Sequence, residues 1–213
     1  MKLKVLALTF LLAAAPAMAE PLRILAFGDS LTEGYGLPPG DGLVPQLQKW
    51  LTARGHDVQI LNGGLSGDTA AGGRVRIGYS LARNRPDAVI VELGANDLLM
   101  GFAPAMVEEN LDSILTKAGR GDRALLLVGI ASPKISPEQQ REWAAIWPRL
   151  AQRHDTLLME NLYQPLFDLP RENLPVMLQD DGLHASAKGV ALIVESLGPK
   201  VEALISEAEK ARP

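Results

Sequence analysis

Apolar residues along this chain of 213 residues come in two kinds of run. The first kind is short and nearly unbroken, at 22–27, 58–61, 88–93, 124–130 and 156–159. Such runs predict strands covered on both faces, because a strand with one wet face would alternate apolar and polar positions. The second kind spaces its apolar residues three and four apart. Leu43, Val44, Leu47, Trp50 and Leu51 keep that spacing until Gly55 and predict a helix over 43–54. Further helices are predicted over 69–82, where Gly72, Gly73 and Gly78 lower the propensity, and over 104–118, with Pro104 tolerated in the first turn. Two more follow, over 137–153 with an interruption at Pro148 and over 186–211 with a break near Gly198-Pro199. Five continuous strands separated by helices imply an α/β protein with a doubly wound parallel sheet. No internal repeat, low-complexity segment or linker divides the chain, so one domain is expected over 20–213.

In an open parallel sheet, ligands bind beyond the carboxyl ends of the strands. Ser30 follows the first strand, Gly67 the second and Asn96 the third, so all three fall on one edge. Asp181 and His184 lie in the loop before the last helix, which can return to that edge. His56 and His154 precede strands and are expected at the opposite rim as surface or capping residues.

The residue types suit acyl transfer. A serine hydroxyl is a poor nucleophile until a base removes its proton, and histidine is the usual base. The other imidazole nitrogen needs an acceptor, which Asp181 can supply across a turn at Gly182. Attack on a carbonyl creates an oxyanion, for which the Ser30 N–H, the Gly67 N–H and the Asn96 amide are candidate donors. Each piece alone has a plainer reading. Ser30 could cap a helix, Asp-x-x-His could be an ordinary loop or one end of a metal site, and Asn96-Asp97 could be a turn.

Composition narrows the partners and the compartment. Met1-Lys2-Leu3-Lys4, an apolar run over 5–15 and Ala17-Met18-Ala19 have the three parts of a secretory signal peptide, with cleavage expected between Ala19 and Glu20. The run is shorter than the roughly 20 residues that span a bilayer, so no stable membrane insertion is expected after cleavage. Cysteine is absent, which leaves the fold to burial alone and rules out a lipid anchor on an N-terminal cysteine. The formal net charge is −4 and becomes more negative without Lys2 and Lys4. An acidic chain lacking a basic cluster argues against nucleic acid as a partner.

Four blocks then carry a resemblance: Gly28-Asp29-Ser30-Leu31, Ser66-Gly67-Asp68-Thr69 after Asn62, Gly94-Ala95-Asn96-Asp97, and Asp181-Gly182-Leu183-His184. Together they resemble the SGNH-hydrolase (GDSL-esterase) superfamily, most closely its bacterial periplasmic thioesterase I/protease I/lysophospholipase and arylesterase group. The resemblance covers nearly all of 20–213. It implies a flavodoxin-like three-layer α/β/α sandwich around a five-stranded parallel sheet, a periplasmic location, and hydrolysis through an acyl-enzyme without metal or cofactor. By motif, Ser30 would be the nucleophile, Gly67 and Asn96 would complete the oxyanion hole with Ser30, and Asp181–His184 would form the base pair. One departure stands out, since relatives commonly have proline after the histidine and this chain has Ala185. The Gly-x-Ser-x-Gly elbow of α/β-hydrolases is absent because Thr32 occupies its last position.

Apolar residues gather near the proposed edge: Leu98, Leu99, Met100 and Phe102 after Asn96, and Leu174, Val176, Met177 and Leu178 before Asp181. They could line an acyl or aryl groove, or simply pack loops onto the sheet. The leading reading is an exported serine esterase/thioesterase acting on small acyl esters and thioesters, aryl esters and lysophospholipids among them, as a monomer or weak oligomer. A carbohydrate O-acetyl esterase would instead need a shallow polar site. A lipid-binding module would need no nucleophile, base and oxyanion donors aligned on one edge.

Overall fold

In chain order the elements are β1 (Leu22–Gly28), α1 (Ser30–Glu33), α2 (Leu43–Ala53), β2 (Val58–Gly64), α3 (Ala70–Asn84), β3 (Ala88–Glu92), α4 (Ala95–Leu99) and α5 (Pro104–Ala118). They continue with β4 (Ala124–Val128), α6 (Pro137–Ala144), α7 (Ile146–His154), β5 (Leu157–Met159), α8 (Gln164–Phe167), a 3-10 turn at Arg171–Asn173, α9 (Leu174–Met177) and α10 (Ala187–Ala211). This computed structural model describes residues 20–131 and 135–212. The expected signal peptide therefore lies outside the described residues.

The strands form one parallel sheet in the order β2-β1-β3-β4-β5. Successive residues of each strand point to opposite faces, and both faces are covered. Ile24, Ala26, Ala88, Ile90, Leu126 and Val128 pack beneath α2 and α10. Leu25, Phe27, Val89, Val91, Leu125 and Leu127 pack beneath α3, α5 and α7. Every residue of β3 is buried, as its continuous apolar run implied. Each buried Val, Leu, Ile or Phe side chain among them contributes about 1.5–3 kcal/mol by leaving water. The order of connection reverses between β1 and β3, which opens a crevice at their carboxyl ends.

Several boundaries differ from the sequence expectation; β2, for one, runs past Leu61 to Gly64. β4 stops at Val128, and the next residue, Gly129, leaves no room for a side chain: a Cβ there would run into the Glu160 carbonyl just after β5 and meet the Trp147 ring of α7 at 2.8 Å. The 137–153 helix breaks at Ala145 instead of Pro148, which sits in the first turn of α7, where its missing N–H has no intrahelical partner to lose. The largest difference is α10, which continues through Gly198-Pro199 for 25 residues. Ten of them are buried, and that burial outweighs the local cost of Pro199. Gly198 is required by a neighbour, since a Cβ there would lie 2.6 Å from the Trp50 ring of α2.

Substitutions at these two adjacent positions are expected to act in opposite directions. Pro199 is exposed, so Pro199→Ala should raise stability by about 1–3 kcal/mol by restoring a helical N–H. Gly198→Leu should lower it by about 1–3 kcal/mol through overpacking against Trp50. Urea-unfolding midpoints of the two variants check both signs.

Candidate active site

Ser30 is set at the tip of β1 by its neighbours. Asp29 is the N-cap of α1, and its Oδ1 accepts from the Leu31 amide at 3.0 Å. The cap is thus Asp29, and the Ser30 hydroxyl is free for another partner. Gly28 has to be bare, because a Cβ there would come within 2.6 Å of Glu92 Oε2. Gly34, with φ +91°, ends the helix after a single turn. The Ser30 Oγ lies 2.9 Å from His184 Nε2.

His184 is held by a short loop that closes on itself. Leu178 and Ala185 form an antiparallel bridge, the Gln179 amide donates to the His184 carbonyl at 2.8 Å, and Gly182 turns the chain with φ +64°. Asp181 divides its two oxygens: Oδ1 accepts from the Leu183 and His184 amides, and Oδ2 lies 2.6 Å from His184 Nδ1. Tyr163 fastens the loop from outside, its hydroxyl donating to the Leu183 carbonyl and accepting from the Ala185 amide. A proline at position 185 would have no N–H to give. Tyr35 tilts over the imidazole with ring centroids 4.8 Å apart, and Gln179 Nε2 donates to the carbonyls of both Tyr35 and Ala185.

The second and third loops are tied to the first. Asn96 Nδ2 donates to the Asp68 carbonyl at 2.8 Å and, more weakly, to Asp29 Oδ2 at 3.3 Å. Ser66 donates to the Glu33 carboxylate from both its amide and its hydroxyl. Asp97 is buried and accepts from the Ala70 amide, which joins the third loop to the start of α3. Gly67 has φ +78° and open space where a Cβ would be. Among the described residues, neither the Ser30 nor the Gly67 amide donates a hydrogen bond.

Buried carboxyls surround this edge. Burial pushes Asp29 up to about 6, against the Leu31 amide and the field of His184. Burial, reinforced by the charge of Asp29, holds Glu92 well above the ordinary carboxylate range, and its Oε2 accepts from the Thr32 hydroxyl at 2.8 Å. Asp181 is the opposite case. Its partial burial is outweighed by the His184 ring and the two backbone amides, which bring it down to about 2. It therefore stays ionised wherever an imidazole is neutral.

The structure thus brings Ser30, Asp181 and His184 into contact and ties the loops of Gly67 and Asn96 to the Ser30 turn. The apolar residues expected near this edge are placed less uniformly. Leu98 packs into the α3/α5 side of the core, and Met177, Leu174 and Leu178 pack into the α2/α10 side. Leu99, Met100, Phe102 and Val176 are exposed. A small cleft of about 20 Å3 beside Ser30 and His184 is lined instead by residues that include Leu31, Tyr35, Leu37, Tyr163 and Ile193. His56 pairs with Glu202 and His154 with Asp112, both away from this edge. Sequence reasoning gave no role to Tyr35, Tyr163, Arg76 or Glu92. Only Glu92 carried a signal, as the one ionisable residue in an otherwise apolar strand.

Residues 26–192 match the family described as GDSL-like Lipase/Acylhydrolase. Esterase TesA of Pseudomonas aeruginosa is 33% identical over 188 residues, covering 88% of this chain and 91% of its own. Thioesterase 1/protease 1/lysophospholipase L1 of Escherichia coli (strain K12) is 30% identical over 192 residues, covering 89% and 87%. A crystal structure of TesA shares the fold with a TM-score of 0.79 at 32% identity, covering 85% of this chain and 99% of that one.

The raised Asp29 value has a measurable sign. Because the folded value, about 6, lies above the ordinary 3.8, the folded state binds the extra proton between the two, and stability from this group falls as pH rises from 4 to 6. Asp29→Asn cannot ionise. Its stability relative to the parent should therefore increase across that window by on the order of 2 kcal/mol, read from urea unfolding at pH 4 and pH 7.

Proposed function

The chain belongs to the GDSL-like lipase/acylhydrolase family, and on that footing we propose that it hydrolyses carboxylic esters and thioesters through an acyl-enzyme on Ser30. The observation that carries this reading is the unbroken line of contacts Asp181 Oδ2–His184 Nδ1 at 2.6 Å and His184 Nε2–Ser30 Oγ at 2.9 Å. In that line the Ser30 hydroxyl donates to Nε2, and Nδ1–H donates to the carboxylate. As Oγ attacks the acyl carbon, its proton passes to Nε2, and the ionised Asp181 stabilises the resulting imidazolium.

The carbonyl oxygen becomes an oxyanion, to which the unpaired Ser30 and Gly67 amides and the Asn96 side chain would donate. One such donor is worth about 3–4 kcal/mol in the transition state. The Asn96 contact with Asp29, at 3.3 Å, is long enough to yield to a better acceptor. Collapse breaks the bond to the leaving oxygen or sulfur, which takes the proton from His184 when the leaving group is an alkoxide. A thiolate needs that proton less, because a thiol is far more acidic than an alcohol. Water then repeats the sequence on the acyl-serine, releasing the acid and restoring the hydroxyl.

The relatives' names, esterase and thioesterase/lysophospholipase, support small acyl esters and thioesters as substrates. We also read Met1–Ala19 as an export signal and the remainder as one domain destined for the periplasm. Among the described residues no helix is long and apolar enough to cross a membrane. Mass spectrometry of the exported protein should find a chain beginning at Glu20.

Ser30→Ala should lower kcat/KM toward p-nitrophenyl esters by about 10⁴-fold or more, and Asp181→Asn by about 10²–10⁴-fold. The comparison is made across esters from acetyl to palmitoyl and across acyl thioesters. A profile confined to acetyl would favour a carbohydrate O-acetyl esterase. Equal rates for Ser30→Ala and the parent would remove Ser30 as nucleophile.

A further inference from the structure

Behind the edge that carries the proposed oxyanion donors lies one largely buried cation. Arg76 projects from α3 with its side chain 20% exposed, and each guanidinium nitrogen has its own acceptor. Nε donates to Asp68 Oδ2 at 2.5 Å, Nη1 to the Gly63 carbonyl at 2.7 Å, and Nη2 to the Gly28 carbonyl at 2.7 Å. The plane of the group rests on the Phe27 ring, 3.9 Å from its centroid.

These acceptors have a common property. Gly28 is two residues before Ser30, Gly63 is the penultimate residue of β2 just before the second loop, and Asp68 directly follows Gly67. The Asp68 carbonyl is also the acceptor that holds Asn96 Nδ2. One side chain thus fixes backbone next to two donors and, through Asp68, reaches the third. We propose that Arg76 is a positioning residue for the oxyanion site, setting the relative placement of the Ser30 amide, the Gly67 amide and the Asn96 side chain.

The chemistry of the fork explains why arginine stands here. Three acceptors from different segments converge on one plane, which a guanidinium satisfies with three fixed N–H directions. A lysine ammonium is a point charge on a flexible stem and cannot reproduce that geometry. Donors stabilise a transition state best when they need no rearrangement as charge develops. Gly67, with φ +78° and nothing packed where a Cβ would sit, has no side chain to hold it. Its restraint comes from Asp68, and Asp68 is held by Arg76. The neighbouring Gly72 leaves room for this pairing, because a Cβ there would run into Asp68 Oδ1.

The inference rests on the acyl-enzyme reading above, and the experiment separates the two. Arg76→Lys, Arg76→Ala and Ser30→Ala are compared with the parent on p-nitrophenyl butyrate and with a trifluoromethyl ketone, which forms a tetrahedral oxyanion adduct. In both Arg76 variants kcat should fall by about 10–100-fold with KM within threefold, and ketone affinity should fall in step with kcat. Millimolar guanidinium should restore Arg76→Ala saturably, whereas urea, of similar shape but uncharged, should not. If Arg76→Ala does not fold, Arg76→Lys carries the same two readouts. Arg76 variants that keep kcat and ketone affinity within twofold of the parent, while Ser30→Ala is inert, would overturn the inference alone. An active Ser30→Ala would overturn the acyl-enzyme reading and the inference with it.

Discussion

A serine hydroxyl and an imidazole nitrogen that are 154 positions apart in sequence lie 2.9 Å from each other. A hydrogen bond weakens steeply once distance or angle drifts, so this contact sets a tolerance that the surrounding structure must meet. On one side, the Asp29 cap and the bare Gly28 fix the Ser30 turn against β3. On the other, Tyr163, Gln179 and the Leu178–Ala185 bridge fix the histidine loop against α8 and α10. The sheet brings both sides to one edge, because parallel strands deliver every following loop in the same direction.

The acids of that edge are shifted in opposite directions. Asp29 and Glu92 lie in the protein interior, where burial favours the protonated form. Asp181 lies at the surface among amide donors and keeps its charge. Asp181, with two backbone amides and the His184 ring on its oxygens, is thus held below the ordinary range, while the two acids buried behind the Ser30 turn are raised above it. Asp68 is a third type, buried but matched by the fork of Arg76.

Much of this organisation was legible in the chain. The continuous apolar runs located all five strands, and the four polar blocks located the residues that meet at the edge. What was not legible followed from contacts between distant segments. Gly198-Pro199 reads locally as a helix break, yet α10 continues because Trp50 of another helix fills the space that Gly198 leaves. Arg76 occupies an ordinary position on a glycine-rich helix, and two of its three acceptors are backbone carbonyls that no residue pattern marks. Tyr163 binds backbone as well. The exposed Leu99, Met100 and Phe102 show a further limit, since hydrophobicity near a site does not say whether a side chain lines a cleft.

The placement of α10 has a consequence for the order in which the candidate site assembles. That helix supplies ten buried residues, many of them in the layer over one face of the sheet, and the histidine loop immediately precedes it in the chain. A chain made N-terminus first thus carries Ser30 early and receives His184, and the cover for that face, only at the end. Closure of the Ser30–His184 contact and completion of that face then coincide. An immature chain holds Ser30 without its imidazole partner, and the contact can form only once the loop ahead of the last large element has docked.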